Sequence, residues 1–308
     1  MDRFPSCSQQ EALMAQTTPS SSNFSLDQFF TRPDTAETCI AMLAARLPDL
    51  SPDLYVEPAA GDGAFLDRLP QPRFGLDIVP SGPGMETGDF LEWVPDDRHQ
   101  TIAVVGNPPF GRNAAKAIAF FNHAARFAKV IAMILPASLM KGSMQDRLDP
   151  NFHLIDELPL PAEPFRVGET LRPVNTVFQI WRREPSLRAK SVRKTRHADF
   201  SFVNTASDAD FVLRRVGARA GAILPRPENG RDTPGYSPSS NYFVKAVDLE
   251  PKVLEARFGE LDFGDVRQRV AANPSVSKTD IVTLYEAQLD LERIAKGVPA
   301  DRVGALRN

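Results

Sequence analysis

The chain has 308 residues, is 42% hydrophobic and carries a formal net charge of -3. That is enough apolar content for one large core and a smaller one, and the overall balance excludes a uniformly basic nucleic-acid binder, so any such footprint must be local. Two cysteines, Cys7 and Cys39, are too few for a disulfide framework, and no run of about 18 apolar residues predicts a membrane span. The N-terminus lacks the basic and apolar regions of a signal peptide, so a cytoplasmic setting is expected.

Residues 1–24 are rich in Ser, Gln and Thr and read as a disordered tail. From Pro33 the spacing of Ala36, Cys39, Ile40 and Leu43 predicts a helix with proline in its first turn and Cys39 in the core. LYVEPAAGDGAFLDRLP reads as a strand, a glycine loop and the start of a helix, and RFGLDIV as a second strand ending in an acid. TIAVVGNPPFG is a third strand with its loop, and NAAKAIAFFNHAARFA a helix. KVIAMILP is a continuously apolar fourth strand, as in a sheet covered on both faces. NFHLIDELPL and VNTVFQIWRR follow with no helix pattern between them, which suggests an antiparallel terminal pair. The expectation is a Rossmann-like α/β domain over 25–184 with a mostly parallel sheet.

Beyond it the texture changes. RREPSLRAKSVRKTRH holds seven Arg or Lys against one Glu and reads as a basic linker over 185–198. Residues 199–297 regain apolar content and read as a smaller α+β domain: ADFSFV and DFVLRRVG as strands, PRPENGRDTPGYSPSSN as loop, LEARFGELDFGDVRQRVA and KTDIVTLYEAQLDLERIA as helices. Residues 298–308 read as a tail. The four histidines show no metal-ligand spacing and no metal is expected; His123 reads as a surface or core residue of a helix and Trp181, at a strand end, as core.

Chemistry concentrates at predicted strand ends. In EPAAGDGAF, small residues and glycines let backbone approach a ligand lying across the sheet, and Asp77, ending the next strand, can accept hydrogen bonds from two ribose hydroxyls. Asp89 and Phe90 offer an acid and a ring for an adenine. In NPPF, Asn107 to Phe110, the proline pair ends a buried strand and holds an amide and an aromatic ring rigidly at its tip. The loop lacks the Lys and Ser/Thr of a P-loop and the full G-x-G-x-x-G of dinucleotide sites.

The order E-P-x-x-G-x-G, an acid on the second strand, D-F and then N-P-P-F resembles the S-adenosylmethionine-dependent amino methyltransferases acting on exocyclic base nitrogens. The resemblance covers residues 26 to 183, and the order of motifs is similar to the gamma arrangement of DNA adenine methyltransferases. It implies a class I methyltransferase sheet and S-adenosylmethionine as cofactor. The implied cofactor set is Phe30, Thr31 and Pro33 in FFTRPD, with Glu57, Pro58, Ala60, Gly61, Gly63, Asp77, Ile78, Asp89, Phe90 and Asn107. Asn107, Pro108, Pro109 and Phe110 would be catalytic. The favoured acceptor is adenine N6 in DNA. RNA adenine, cytosine N4, a protein glutamine and a silent methyltransferase-fold subunit are the alternatives. Lys141, Arg193, Lys194, Arg196, Arg214, Arg215 and Asn241 are the candidate nucleic-acid contacts, and the C-terminal domain the candidate recognition unit.

Overall fold

The computed structural model describes residues 30–161, 163–167, 170–172, 174–224, 236–269 and 273–295. The expected tails, 1–24 and 298–308, lie outside them, as do Cys7 and Phe29.

The first unit is built on a seven-stranded sheet. Its strands are β2 (Leu54–Glu57), β3 (Arg73–Asp77), β4 (Met85–Thr87), β5 (Ile102–Gly106), β6 (Ala128–Pro136), β7 (Phe152–Pro159) and β10 (Thr176–Arg183). They lie in the order β4-β3-β2-β5-β6-β10-β7. The five strands from β4 to β6 are parallel, and β10 runs antiparallel to both β6 and β7. The mostly parallel Rossmann-like sheet with an antiparallel terminal pair is therefore the observed architecture.

Alternation along the strands makes three layers, because successive side chains leave opposite faces. Val104, Ile131, Met133 and Leu135 face one way, against Ala117, Phe120 and Phe121 of α2 (Ala115–Ala124). Ala103, Val105, Ala132 and Ile134 face the other way, against Ala36, Cys39 and Leu43 of α1 (Pro33–Arg46). Burial drives the Cys39 thiol pKa up, as expected of a core residue rather than a nucleophile. Phe121 meets Trp181 edge-on at 5.5 Å and Phe152 at 5.7 Å, and all three are fully buried. Each contributes about 1.5–3 kcal/mol of apolar burial. His123 is also buried, its Nε2 2.7 Å from the Trp93 carbonyl.

Several elements depart from the reading of the sequence. LDRLP makes only a 3-10 turn, Leu66–Arg68. Polar β4 supplies the sheet edge. Between β7 and β10 stands a hairpin, β8 (Phe165–Val167) and β9 (Thr170–Arg172), on which β1 (Phe30–Thr31) pairs antiparallel. After β6 come a 3-10 turn, Ala137–Met140, and the single helical turn α3 (Gly142–Gln145).

The second unit is a four-stranded antiparallel sheet, order β11-β14-β12-β13, from β11 (Phe200–Val203), β12 (Phe211–Arg214), β13 (Ile223–Leu224) and β14 (Asn241–Ala246). β14, which the sequence reading did not assign as a strand, begins at Asn241, the last residue of the expected loop. On one face Phe200, Phe211, Leu213 and Val244 pack against α4 (Pro251–Gly259), α5 (Gly264–Gln268) and α6 (Lys278–Ala295). The single helix expected over LEARFGELDFGDVRQRVA is two, because Leu261–Phe263 is non-helical and the Asp262 carboxylate accepts from the Gly264 N–H at 2.7 Å. Among the described residues no helix is long and apolar enough to cross a membrane.

Candidate active site

The glycine loop follows β2. Glu57, 2% exposed, turns its carboxylate onto the loop and accepts the Leu66 N–H at 2.6 Å. Burial pushes its carboxyl well above the usual range, opposed by the backbone donors Leu66 and Phe65. Gly61 has φ +53°, a left-handed conformation that favours glycine, and an added Cβ would meet the Phe30 ring at 3.3 Å. The Gly61 N–H donates to Asp77 Oδ2 at 2.8 Å, and the Val79 N–H donates to Asp77 Oδ1 at 2.8 Å. Asp77 thus ties the tip of β3 to the glycine loop beside it. The β1 strand sits against that loop. Arg166 of the hairpin stacks on Phe30 at 5.9 Å and pairs with Asp62.

The second loop follows β5. Gly106 packs so closely that a Cβ would sit 3.1 Å from Glu57 Cγ, which brings Asn107 beside the end of β2. Pro108 is buried, and Asn107, Pro109 and Phe110 are half-buried. The Phe110 carbonyl accepts the Lys116 N–H at 3.1 Å and the Ala117 N–H at 3.3 Å, so the turn is clamped to the start of α2. Its ring meets Phe165 edge-on at 5.9 Å. The link between them is tightly bent: Gly111, Asn113 and Ala114 all have positive φ.

These loops open into one cavity of about 250 Å³. Of the sequence-predicted residues, Phe30, Pro58, Gly61, Asp77, Ile78, Asp89, Phe90 and the whole Asn107–Phe110 turn line it. Ile78 and Val79 stand 53% and 52% exposed on its rim, and Phe90, 1% exposed, belongs mainly to the core beneath. The Asp89 carboxylate accepts the Leu91 N–H at 2.9 Å.

Glu57, Ala60, Gly63, Thr31 and Pro33 do not line the cavity. Glu57 and Ala60 build the loop, the Ala60 N–H donating to the Leu76 carbonyl at 3.0 Å. Gly63 (φ +88°) packs on Met85, Thr31 is buried in β1, and Pro33 starts α1. The lining also includes Lys116 and Phe120, which the sequence reading missed. Their i, i+4 spacing on the helix after the NPPF turn was the available signal.

The candidate nucleic-acid residues are dispersed. Lys141 Nζ lies 3.9 Å from Asp280 of the second unit. In the arm, Arg193 lies 3.8 Å from Asp146 and Lys194 pairs with Glu286 at 2.7 Å. Arg196 is exposed. Arg188 stacks on Trp181 at 5.0 Å and donates to the Gln145 and Leu148 carbonyls. Arg214 donates to the Val216 carbonyl at 3.2 Å and to Asn241 Oδ1 at 3.4 Å, and Asn241 is 2% exposed. Arg215 is exposed. No group of three or more metal-ligating side chains exists among the described residues.

No protein-family model matches the chain, and no curated protein matches it. Among solved structures it is similar to a Pyrococcus horikoshii protein assigned as an RNA methyltransferase, with 17% identity, 51% of this chain and 87% of that one covered, and a TM-score of 0.40. It is also similar to the 23S rRNA methyltransferase ErmE, at 17% identity, 53% and 72% coverage, and a TM-score of 0.35. A third is the magnesium protoporphyrin IX methyltransferase of Synechocystis PCC 6803 with bound S-adenosylmethionine, at 13% identity, 49% and 79% coverage, and a TM-score of 0.36.

Proposed function

We propose that this chain transfers a methyl group from S-adenosylmethionine to an exocyclic amino nitrogen of a nucleic-acid base, with adenine N6 in DNA as the favoured acceptor. The observation that carries the reading is that the glycine loop, Asp77 and the Asn107–Phe110 turn open into one cavity.

The residues present fit the cofactor. Gly61 lines the cavity without a side chain. Asp77 spends one lone pair of each oxygen on backbone N–H groups and keeps others to accept from ribose hydroxyls. Ile78 and Val79 offer apolar surface for a purine face.

When bound, S-adenosylmethionine supplies an electrophilic methyl group on a cationic sulfur that leaves as a neutral thioether. The protein's task is then to position and to localise charge. An aromatic amino nitrogen is a poor nucleophile because its lone pair is delocalised into the ring. The Asn107 side-chain oxygen and the Pro108 carbonyl accept hydrogen bonds from its two N–H groups and favour a pyramidal nitrogen, which takes the methyl group and then releases one of its protons to water. Phe110 stacks on the flipped base.

The test is Asn107→Ala. Methyl transfer falls on the order of 10²-fold or more, as when one preorganised polar contact is removed from a transition state. S-adenosylhomocysteine affinity stays within about threefold, below 1 kcal/mol. A variant with wild-type transfer rate ends the amino-acceptor mechanism.

A further inference from the structure

In the basic arm, Arg193 and Lys194 are engaged by carboxylates of the chain itself. Two other cations of the second unit stand on aromatic rings instead. Lys278, the first residue of α6, places Nζ 4.8 Å from the Phe202 ring centre and 5.9 Å from that of Tyr242. Arg215 places its guanidinium carbon 5.4 Å from the same Tyr242 ring. The two rings lie 5.3 Å apart, half-buried on neighbouring strands β11 and β14. Among the described residues neither Arg215 nor Lys278 is ion-paired with a carboxylate. Asp280, the acid nearest along α6, is engaged by the Ser277 N–H and hydroxyl and by Lys141.

A cation over a ring is held in place and keeps both its charge and its N–H donors. The position matters as much as the chemistry. Asp280, two residues beyond Lys278, reaches Lys141, which follows the 3-10 turn after β6. β6 pairs with β5, whose end carries Asn107. Lys278 thus starts the helix whose Asp280 meets the segment following β6, at the same strand end that carries Asn107.

We propose that Arg215 and Lys278 bind backbone phosphates of the nucleic-acid strand whose base enters the cavity. This rests on the methyltransferase reading and adds the surface that holds the strand. Arg214 differs from the pair in being held by hydrogen bonds, its Nε donating to the Val216 carbonyl and its Nη1 to Asn241 Oδ1.

The test is the salt dependence of binding to an adenine-containing duplex oligonucleotide, read by fluorescence anisotropy for wild type, Arg215→Gln, Lys278→Gln and the double variant. Each phosphate left without its cation flattens the log–log slope by about 0.9, so the double variant is flatter by about 1.8. S-adenosylhomocysteine affinity stays at the wild-type value, and the melting temperature falls only by the few degrees that the lost cation–ring contacts are worth. Lys252→Gln, an exposed cation on α4, leaves the slope unchanged. An unaltered slope in the double variant, or an equal change in Lys252→Gln, overturns the phosphate site while the transferase reading stands if wild type still methylates the oligonucleotide. Wild-type protein that takes up cofactor but neither binds nor methylates nucleic acid overturns both.

Discussion

Asp77→Asn separates two jobs done by one carboxylate. In the wild type each oxygen takes one backbone N–H at 2.8 Å, from Gly61 and from Val79. The amide keeps one acceptor and turns an NH₂ toward the other backbone donor. Leaving a partly hydrated N–H without a partner costs about 1 kcal/mol of stability, the low end for such a loss. In a domain of this size that lowers the melting temperature by about 2–4 °C. Cofactor binding loses more, because a charge-assisted contact to a ribose hydroxyl is worth about 1.5–3 kcal/mol. Affinity for S-adenosylhomocysteine should fall about 10- to 150-fold, read by titration calorimetry beside a thermal melt. A lowered melt with affinity within threefold of wild type would refute the reasoning, since Asp77 would then be a latch between β3 and the glycine loop and no ligand contact.

Two further perturbations test the scaffold. Tyr285 is 1% exposed, donates to Asp199 Oδ2 at 2.7 Å and accepts from Arg257 at 3.3 Å. Tyr285→Phe should cost about 1.5–3 kcal/mol in chemical denaturation. Burial raises the phenol from its ordinary 10 to about 12, so its share of stability is complete below pH 10 and is lost as pH rises to about 12. The gap between wild type and Tyr285→Phe should therefore close over that window, and a gap independent of pH contradicts the assignment. At the other loop, Gly111 has φ +66° and an added Cβ would lie 2.8 Å from Lys116 Cγ. Gly111→Ala should cost about 1–3 kcal/mol through the backbone alone, because φ +66° with ψ 176° is a region essentially reserved to glycine. It should slow methyl transfer more than it weakens cofactor binding, and a variant of unchanged stability and rate would show that the turn tolerates relaxation.

The elements with strong local signals were legible from sequence. Pro33 with apolar residues at 36, 39, 40 and 43 marks α1, and the apolar runs of β5 and β6 mark a sheet covered on both faces. The two site loops were legible for a related reason: a strand that stops at glycine or at a proline pair must hand its backbone to something other than the sheet. Three-residue β4, Met-Glu-Thr, has no period to detect. The β8–β9 hairpin is held by pairing with β1, and Phe30 meets Arg166 across more than a hundred residues, which no local pattern encodes. The arm shows the same limit. Its cations stand out in the sequence, but their partners Asp146 and Glu286 lie 47 and 92 positions away from Arg193 and Lys194. Conversely, Lys278 reads as one more charge at a helix start until folding sets it on Phe202 and Tyr242.

The central claim is that the cavity joining Asp77 to the NPPF turn brings a methyl donor to an amino group of a base. The most direct measurement incubates the protein with methyl-tritiated S-adenosylmethionine and, separately, duplex DNA, single-stranded DNA and structured RNA, then identifies the labelled nucleoside by digestion and mass spectrometry. The account predicts label in N6-methyladenine, with DNA the preferred polymer. Tight cofactor binding with no label in any polymer would contradict it.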